Sequence, residues 1–219
     1  MLKRSSSSKV ARAAAESGLR LASSPRRDAN GKLTPDGALR ELLAGNRRFA
    51  ANELKSITRD LNILRRRAVD KQEPFAALLA CADSRVPVEL VFDQPLGRIF
   101  VTRIAGNMVT PEIIASLEYG VAVLGVKALL VLGHTGCGAL TAAMRAGTAP
   151  GQISVLFRHL QLAVDQSGGK LDRAIEANAS IQAELLRTSS TVIGEAVKAG
   201  RLKVESAVYD LATGNVKMT

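Results

Sequence analysis

The 219-residue chain has no tryptophan, two cysteines, two histidines and an aromatic content of 3%. Two cysteines cannot staple a chain this long, so a disulfide scaffold is excluded. No uncharged stretch reaches the roughly 18–20 apolar residues that a helix needs to span a bilayer, which excludes a transmembrane helix. A secretory signal needs an apolar run of roughly 7–15 residues. The stretch from Val10 to Ala22 is interrupted by Arg12, Glu16 and Arg20 and does not qualify. What is present fits an ordinary globular protein: 47% hydrophobic and 23% charged residues, with enough length to bury a core.

The net charge of +10 is unevenly placed. Residues 1–73 carry 17 basic and 8 acidic side chains, against 13 and 12 in residues 74–219. The basic third has few aromatics to stack on bases and no uninterrupted basic run. It therefore reads as a solvated arm, with no nucleic-acid partner expected. Residues 1–33, rich in Ser, Ala and Arg, form that arm. Met1 to Arg27 matches in part the Arg- and Ser-rich, acid-poor pattern of a transit peptide; the reading adopted is a cytoplasmic chain.

Residues 34–219 are read as one domain, with N-terminal helices over 34–70 and a core over 71–219. Thr34-Pro35 is a helix start, an N-cap residue followed by proline at the first helical position. Leu39, Leu42, Leu43 and Phe49 extend that helix over 35–51, and Ile57, Leu61, Leu64 and Ala68 predict a second over 57–69. From Pro74 short apolar runs appear: Phe75 to Ala80, Arg98 to Thr102 and Ala128 to Leu132. Runs without alternation suit strands buried on both faces of a parallel sheet. Helical patterns follow at about 111–124, 138–146, 151–166 and, as one long helix, 170–199. Lys203 to Tyr209 alternates, and Thr213-Gly214 turns the chain into Asn215 to Met218, an edge hairpin. The fold class is α/β, a mainly parallel central sheet flanked by helices, with an N-terminal helical arm and a C-terminal edge hairpin.

Three polar clusters fall at the carboxyl ends of these strands, where ligands of such sheets bind. They are Cys81-Ala82-Asp83-Ser84-Arg85, Arg103 to Asn107, and Gly133-His134-Thr135-Gly136-Cys137-Gly138. Cys81, His134 and Cys137 offer two thiolates and an imidazole, three donors of a tetrahedral zinc shell whose fourth position stays open for chemistry. Each residue alone fits a core; together, at adjacent strand ends, they point to a metal. Gly133, Gly136 and Gly138 are expected to let the H-x-x-C turn tighten. Asp83, held ionised by Arg85, is placed to orient a water beside the metal.

The stretches CADSRVPVELVFDQPLGRIFVTRIAGNMV and SLEYGVAVLGVKALLVLGHTGCGALTAAM resemble the β-class carbonic anhydrases over about residues 72–144. The resemblance implies Cys81, His134 and Cys137 as ligands of Zn2+ and Asp83 and Arg85 as the catalytic dyad. It implies Gln72, Phe100, Ala105, Tyr119 and Gly138 as the substrate-binding residues, with the pocket at a dimer interface, and hence a homodimer or higher homo-oligomer. The activity it implies is reversible hydration of CO2 to bicarbonate and a proton by attack of zinc-bound hydroxide. In some members the aspartate can become a fourth zinc ligand once the arginine releases it. The usual R-N-A-G-N reads Arg103-Ile104-Ala105-Gly106-Asn107 here. Leu78 stands where some members have a tryptophan belonging to a regulatory bicarbonate site, so no such switch is expected, although Arg103 matches another residue of that site. His159 is not assigned as a proton shuttle. Two alternatives remain: a hydrolase of carbonyl sulfide or carbon disulfide on the same site, and a non-catalytic zinc protein with a closed four-ligand shell.

Overall fold

The computed structural model describes residues 26–56, 71–145 and 149–219; the predicted helix over 57–69 and most of the arm, residues 1–25, lie outside them. Helix α1 (Pro35–Ala50) starts where Thr34 accepts a hydrogen bond from the Gly37 amide, with Pro35 at the first position. Among the described residues five strands follow: β1 (Ala76–Ala80), β2 (Ile99–Arg103), β3 (Ala128–His134), β4 (Lys203–Tyr209) and β5 (Val216–Met218). They form one sheet in the order β2-β1-β3-β4-β5, parallel except for β5, which pairs antiparallel with β4 as the expected edge hairpin.

Every residue of β1 and β3 is buried, because helices cover both faces. Side chains alternate between two cores. Leu78, Leu130 and Leu132 meet Leu39 and Leu42 of α1 and Phe92 on one face. Leu79, Leu129 and Val131 meet Ile113 and Leu117 of helix α3 (Pro111–Ala122), Leu186 of helix α6 (Leu171–Ser189) and Ile193 of helix α7 (Thr191–Lys198) on the other. A short helix α2 (Val88–Val91) precedes Phe92, helix α4 (Gly138–Met144) follows β3, and helix α5 (Phe157–Gln166) continues a 3-10 turn over Ile153–Leu156. Among the described residues, no helix is long and apolar enough to cross a membrane.

One helical expectation is corrected. The long helix over 170–199 is two helices, broken at Ser190, whose backbone is extended (φ −112°, ψ 119°). Its hydroxyl accepts from the Ile193 amide at 3.0 Å and donates to Glu118 Oε1 at 2.6 Å. A serine that bonds the backbone ahead of it competes with helix continuation and starts a new helix instead.

Asn46, buried on α1, braces the edge hairpin. Its Nδ2 donates to the Val91 and Gly214 carbonyls, and its Oδ1 accepts from the Val216 amide. From β1 the chain steps to β2 on one side, and β3 lies on the other. The carboxyl ends of β1 and β3 therefore flank the point where strand order reverses, the place where open α/β sheets form a crevice.

Candidate metal centre

Cys81 leaves the end of β1, His134 closes β3, and Cys137 caps the start of α4. The two sulfurs and one imidazole nitrogen lie within 4.8 Å of one another and all three residues are buried. Tetrahedral zinc bonds of ~2.3 Å to sulfur and ~2.0 Å to nitrogen would set such donors about 3.5–3.8 Å apart, so the arrangement suits that ion. Cys81 and Cys137 belong to a third apolar cluster with Met108, Leu140, Leu160 and Ile175.

The imidazole is aimed. Its Nδ1 lies 3.0 Å from the Thr135 carbonyl; a carbonyl only accepts, so Nδ1 carries the proton and Nε2 presents a lone pair. Nε2 is buried and has no hydrogen-bond partner among the described residues, a costly state for a polar atom unless a cation meets it. The Cys81 sulfur receives a donor, the Gly106 amide at 3.3 Å. The hydrogen bond to Cys137, then the backbone donor at Gly106, outweigh burial and pull Cys81 down from the ordinary thiol range. The same bond to Cys81, with burial, pushes Cys137 up. Two thiols this close ionise together only beside a positive charge, which is what a bound metal provides.

Asp83 and Arg85 form the expected pair. Arg85 Nε and Nη2 donate to Asp83 Oδ1 and Oδ2 at 3.0 and 2.8 Å, and the Arg85 amide adds a bond to Oδ1. The Arg85 hydrogen bonds hold the Asp83 carboxyl far below the usual carboxylate range. Asp83 Oδ2 lies 3.8 Å from His134 Nε2, beside the Cys81, His134 and Cys137 group, while its bidentate engagement with Arg85 holds it in place. Arg85 Nη2 is also 3.4 Å from the Gly136 carbonyl, linking the loops that carry Cys81 and Cys137.

The glycine expectation needs correcting. Only Gly136 of the three has a positive φ, +66°. Gly133 is small because a side chain there would crowd Ile175, and at Gly138 nothing lies within 4 Å of an added Cβ. Gly138 is exposed at the start of α4, and Ala105, half-buried, opens a 3-10 turn over Ala105–Asn107. Phe100 on β2 and Tyr119 on α3 are brought together, with ring centroids 6.2 Å apart. Tyr119 is 47% exposed, so it is no core residue. Gln72 is exposed just before β1. Ile104, the altered position of the R-I-A-G-N turn, contributes its backbone: its amide donates to Ala80 and its carbonyl accepts from Ala82. His159 lies on α5, beside Arg158.

Two contributions were not read from the sequence. Arg103 Nε and Nη2 donate to the carbonyls of Cys81 and Asp83 at 2.9 and 2.5 Å, gripping the loop that carries both residues. Asn178 and Gln182, buried on α6, bond the backbone of Gly106 and Val109. The sequence signal for these two was a pair of carboxamides one turn apart on an otherwise apolar helix face.

A family model described as carbonic anhydrase matches residues 76–216. Carbonic anhydrase 2 of Mycobacterium tuberculosis is 32% identical over 188 residues, which cover 82% of this chain and 90% of that protein. Among solved structures, a Coccomyxa β-carbonic anhydrase in complex with acetazolamide matches at 29% identity with a TM-score of 0.66, covering 82% of this chain and 85% of the other. One of two tetrameric β-carbonic anhydrases from the ascomycete Sordaria macrospora shares the fold, with a TM-score of 0.64 at 24% identity over 83% of this chain and 96% of its own.

Proposed function

Because the chain belongs to the β-class carbonic anhydrases, whose general reaction is hydration of CO2, we propose that it interconverts CO2 with bicarbonate and a proton on one zinc ion held by Cys81, His134 and Cys137. The observation that carries this reading is the buried, unpartnered Nε2 of His134 within 4.8 Å of two buried sulfurs. Zinc, when bound there, supplies a Lewis acid that makes water nucleophilic near neutral pH.

The surrounding residues do the positioning. Asp83 accepts a hydrogen bond from the attacking water and fixes the direction of its lone pair towards the substrate carbon. Arg85 keeps that carboxylate ionised and turned towards the ligands. It also keeps Asp83 from being drawn in as a ligand, because both carboxylate oxygens are already engaged. Phe100 and Tyr119 supply an apolar wall suited to an uncharged, linear substrate, with Gln72, Ala105 and Gly138 as further pocket residues. The exposure of Tyr119 and of Val123, just past α3, supports a second copy of the chain closing that pocket, as a homodimer or a multiple of one.

Stopped-flow hydration of CO2 by the zinc-loaded protein, run beside hydrolysis of carbonyl sulfide, tests the reading. Turnover of CO2 is expected. Hydrolysis of carbonyl sulfide with negligible turnover of CO2 would overturn the substrate, and full zinc content with neither activity would overturn the enzyme.

A further inference from the structure

Helix α6 buries two carboxamides, Asn178 and Gln182, on a face otherwise made of Ala174, Ile175, Ala179, Ala183 and Leu186. Buried amides on an apolar face cost free energy unless fully bonded. These bonds run to one place. Asn178 Nδ2 donates to the Gly106 carbonyl at 2.9 Å, and Gln182 Oε1 accepts from the Val109 amide at 2.7 Å. Gln182 Nε2 donates to Asn178 Oδ1 at 3.1 Å and to the His159 carbonyl at 3.3 Å, which orients the pair.

The loop they grip is held in an uncommon conformation. Gly106 has φ +77° and Asn107 φ +42°, and a side chain at Gly106 would crowd Leu160 and Ala139 at 3.2–3.3 Å. Such backbone persists only where its surroundings over-determine it. The same Gly106 points its N–H at Cys81 Sγ. We infer that Asn178 and Gln182 are positioning residues for the metal centre: they hold the Gly106 amide on the Cys81 sulfur and so set how much charge that thiolate gives to the metal. An N–H donor drains charge from a thiolate, leaving the metal a stronger Lewis acid. The inference rests on the zinc reading above.

Cobalt(II) in place of zinc reports the thiolate directly through sulfur-to-cobalt charge-transfer absorption, and competition with a chelator reports affinity. Asn178→Ala is expected to move that band to longer wavelength and to weaken metal binding by about 10- to 100-fold. Gln182→Glu keeps an acceptor for the Val109 amide but loses the donor to Asn178, so a smaller shift in the same direction is expected. Leu186→Ala, one turn beyond Gln182 on the same helix face but packed with Leu79, Leu129 and Ile193 away from the cysteine cluster, should lower the melting temperature and leave the band in place. If Asn178→Ala matches Leu186→Ala, destabilised with band and affinity unchanged, the pair is merely structural and the inference fails. If Asn178→Ala does not fold, Gln182→Glu decides by the same two readings, and an unchanged band there overturns it. Failure of the zinc reading is distinct: wild-type protein would then show no sulfur-to-cobalt band at all.

Discussion

Replacing Arg103 by alanine removes two charge-assisted hydrogen bonds, at 2.9 and 2.5 Å, from the carbonyls of Cys81 and Asp83. Hydrogen bonds from a charged group contribute roughly 1.5–3 kcal/mol each, and because Arg103 is exposed solvent screening discounts the pair to the lower end or below it, about 2–3 kcal/mol together. At about 1.4 kcal/mol per tenfold, the loss would weaken zinc binding between about 25- and 140-fold if it fell wholly on the metal-loaded loop. Chelator competition on wild type and variant reads this number, and thermal unfolding of the metal-free proteins reads the share that falls on the fold. Arg103→Lys should recover only part of the loss, because a single ammonium does not reproduce a rigid fork reaching two carbonyls. Zinc affinity and melting temperature both unchanged in Arg103→Ala would show that the grip does not position the ligand loop. A full rescue by lysine would show that charge alone matters.

Two further substitutions probe the frame around the site. Gly136→Ala puts a side chain at φ +66° with nothing within 4 Å of it, so its cost is backbone strain alone, about 1–2 kcal/mol; this should lower the melting temperature by several degrees, and Gly136→Asn by less. Asp93, buried at φ +46°, accepts from Arg48 Nε at 2.5 Å and from the amides of Lys55 and Ser56 at 3.0 and 2.8 Å. Burial opposes its ionisation, but the bonds from Ser56, Arg48 and Lys55 win and hold its carboxyl below the usual range. Asp93→Asn should therefore cost about 2–3 kcal/mol near pH 7. A depressed folded pKa stabilises above the unfolded value of ~3.9 and is lost as pH falls through the folded one. Denaturant midpoints of wild type and variant should thus converge in acid, and a gap that is constant down to pH 2–3 would contradict the assignment.

Strands β1 and β3 were legible because burial on both faces removes polar residues from them, leaving runs such as Phe75 to Ala80 with no competing pattern, whereas the apolar run of β2 lies at the sheet edge and is only half-buried. Cys81, His134 and Cys137 were legible because metal chemistry restricts residue type so tightly that two short segments sufficed. The break at Ser190 was not, since the apolar periodicity continues on both sides of it and only the serine's bonds to Ile193 and Glu118 interrupt the helix. The roles of Arg103, Asn178 and Gln182 were hidden for another reason. Each acts on backbone atoms, and backbone carbonyls and amides carry no sequence signature. Asn178 lies 72 residues from the Gly106 carbonyl it holds, so only the packing of α6 against the loop brings the two together.

The most direct test is Asp83→Asn, assayed for zinc per chain and for CO2 hydration on the same preparation. Zinc should stay at about one ion per chain, because Cys81, His134 and Cys137 are untouched, while hydration falls by about 100-fold or more as the water loses its orienting carboxylate. Hydration at the wild-type rate with zinc retained would contradict the role of Asp83. Loss of zinc in that variant would make Asp83 a ligand and would contradict the three-residue metal centre.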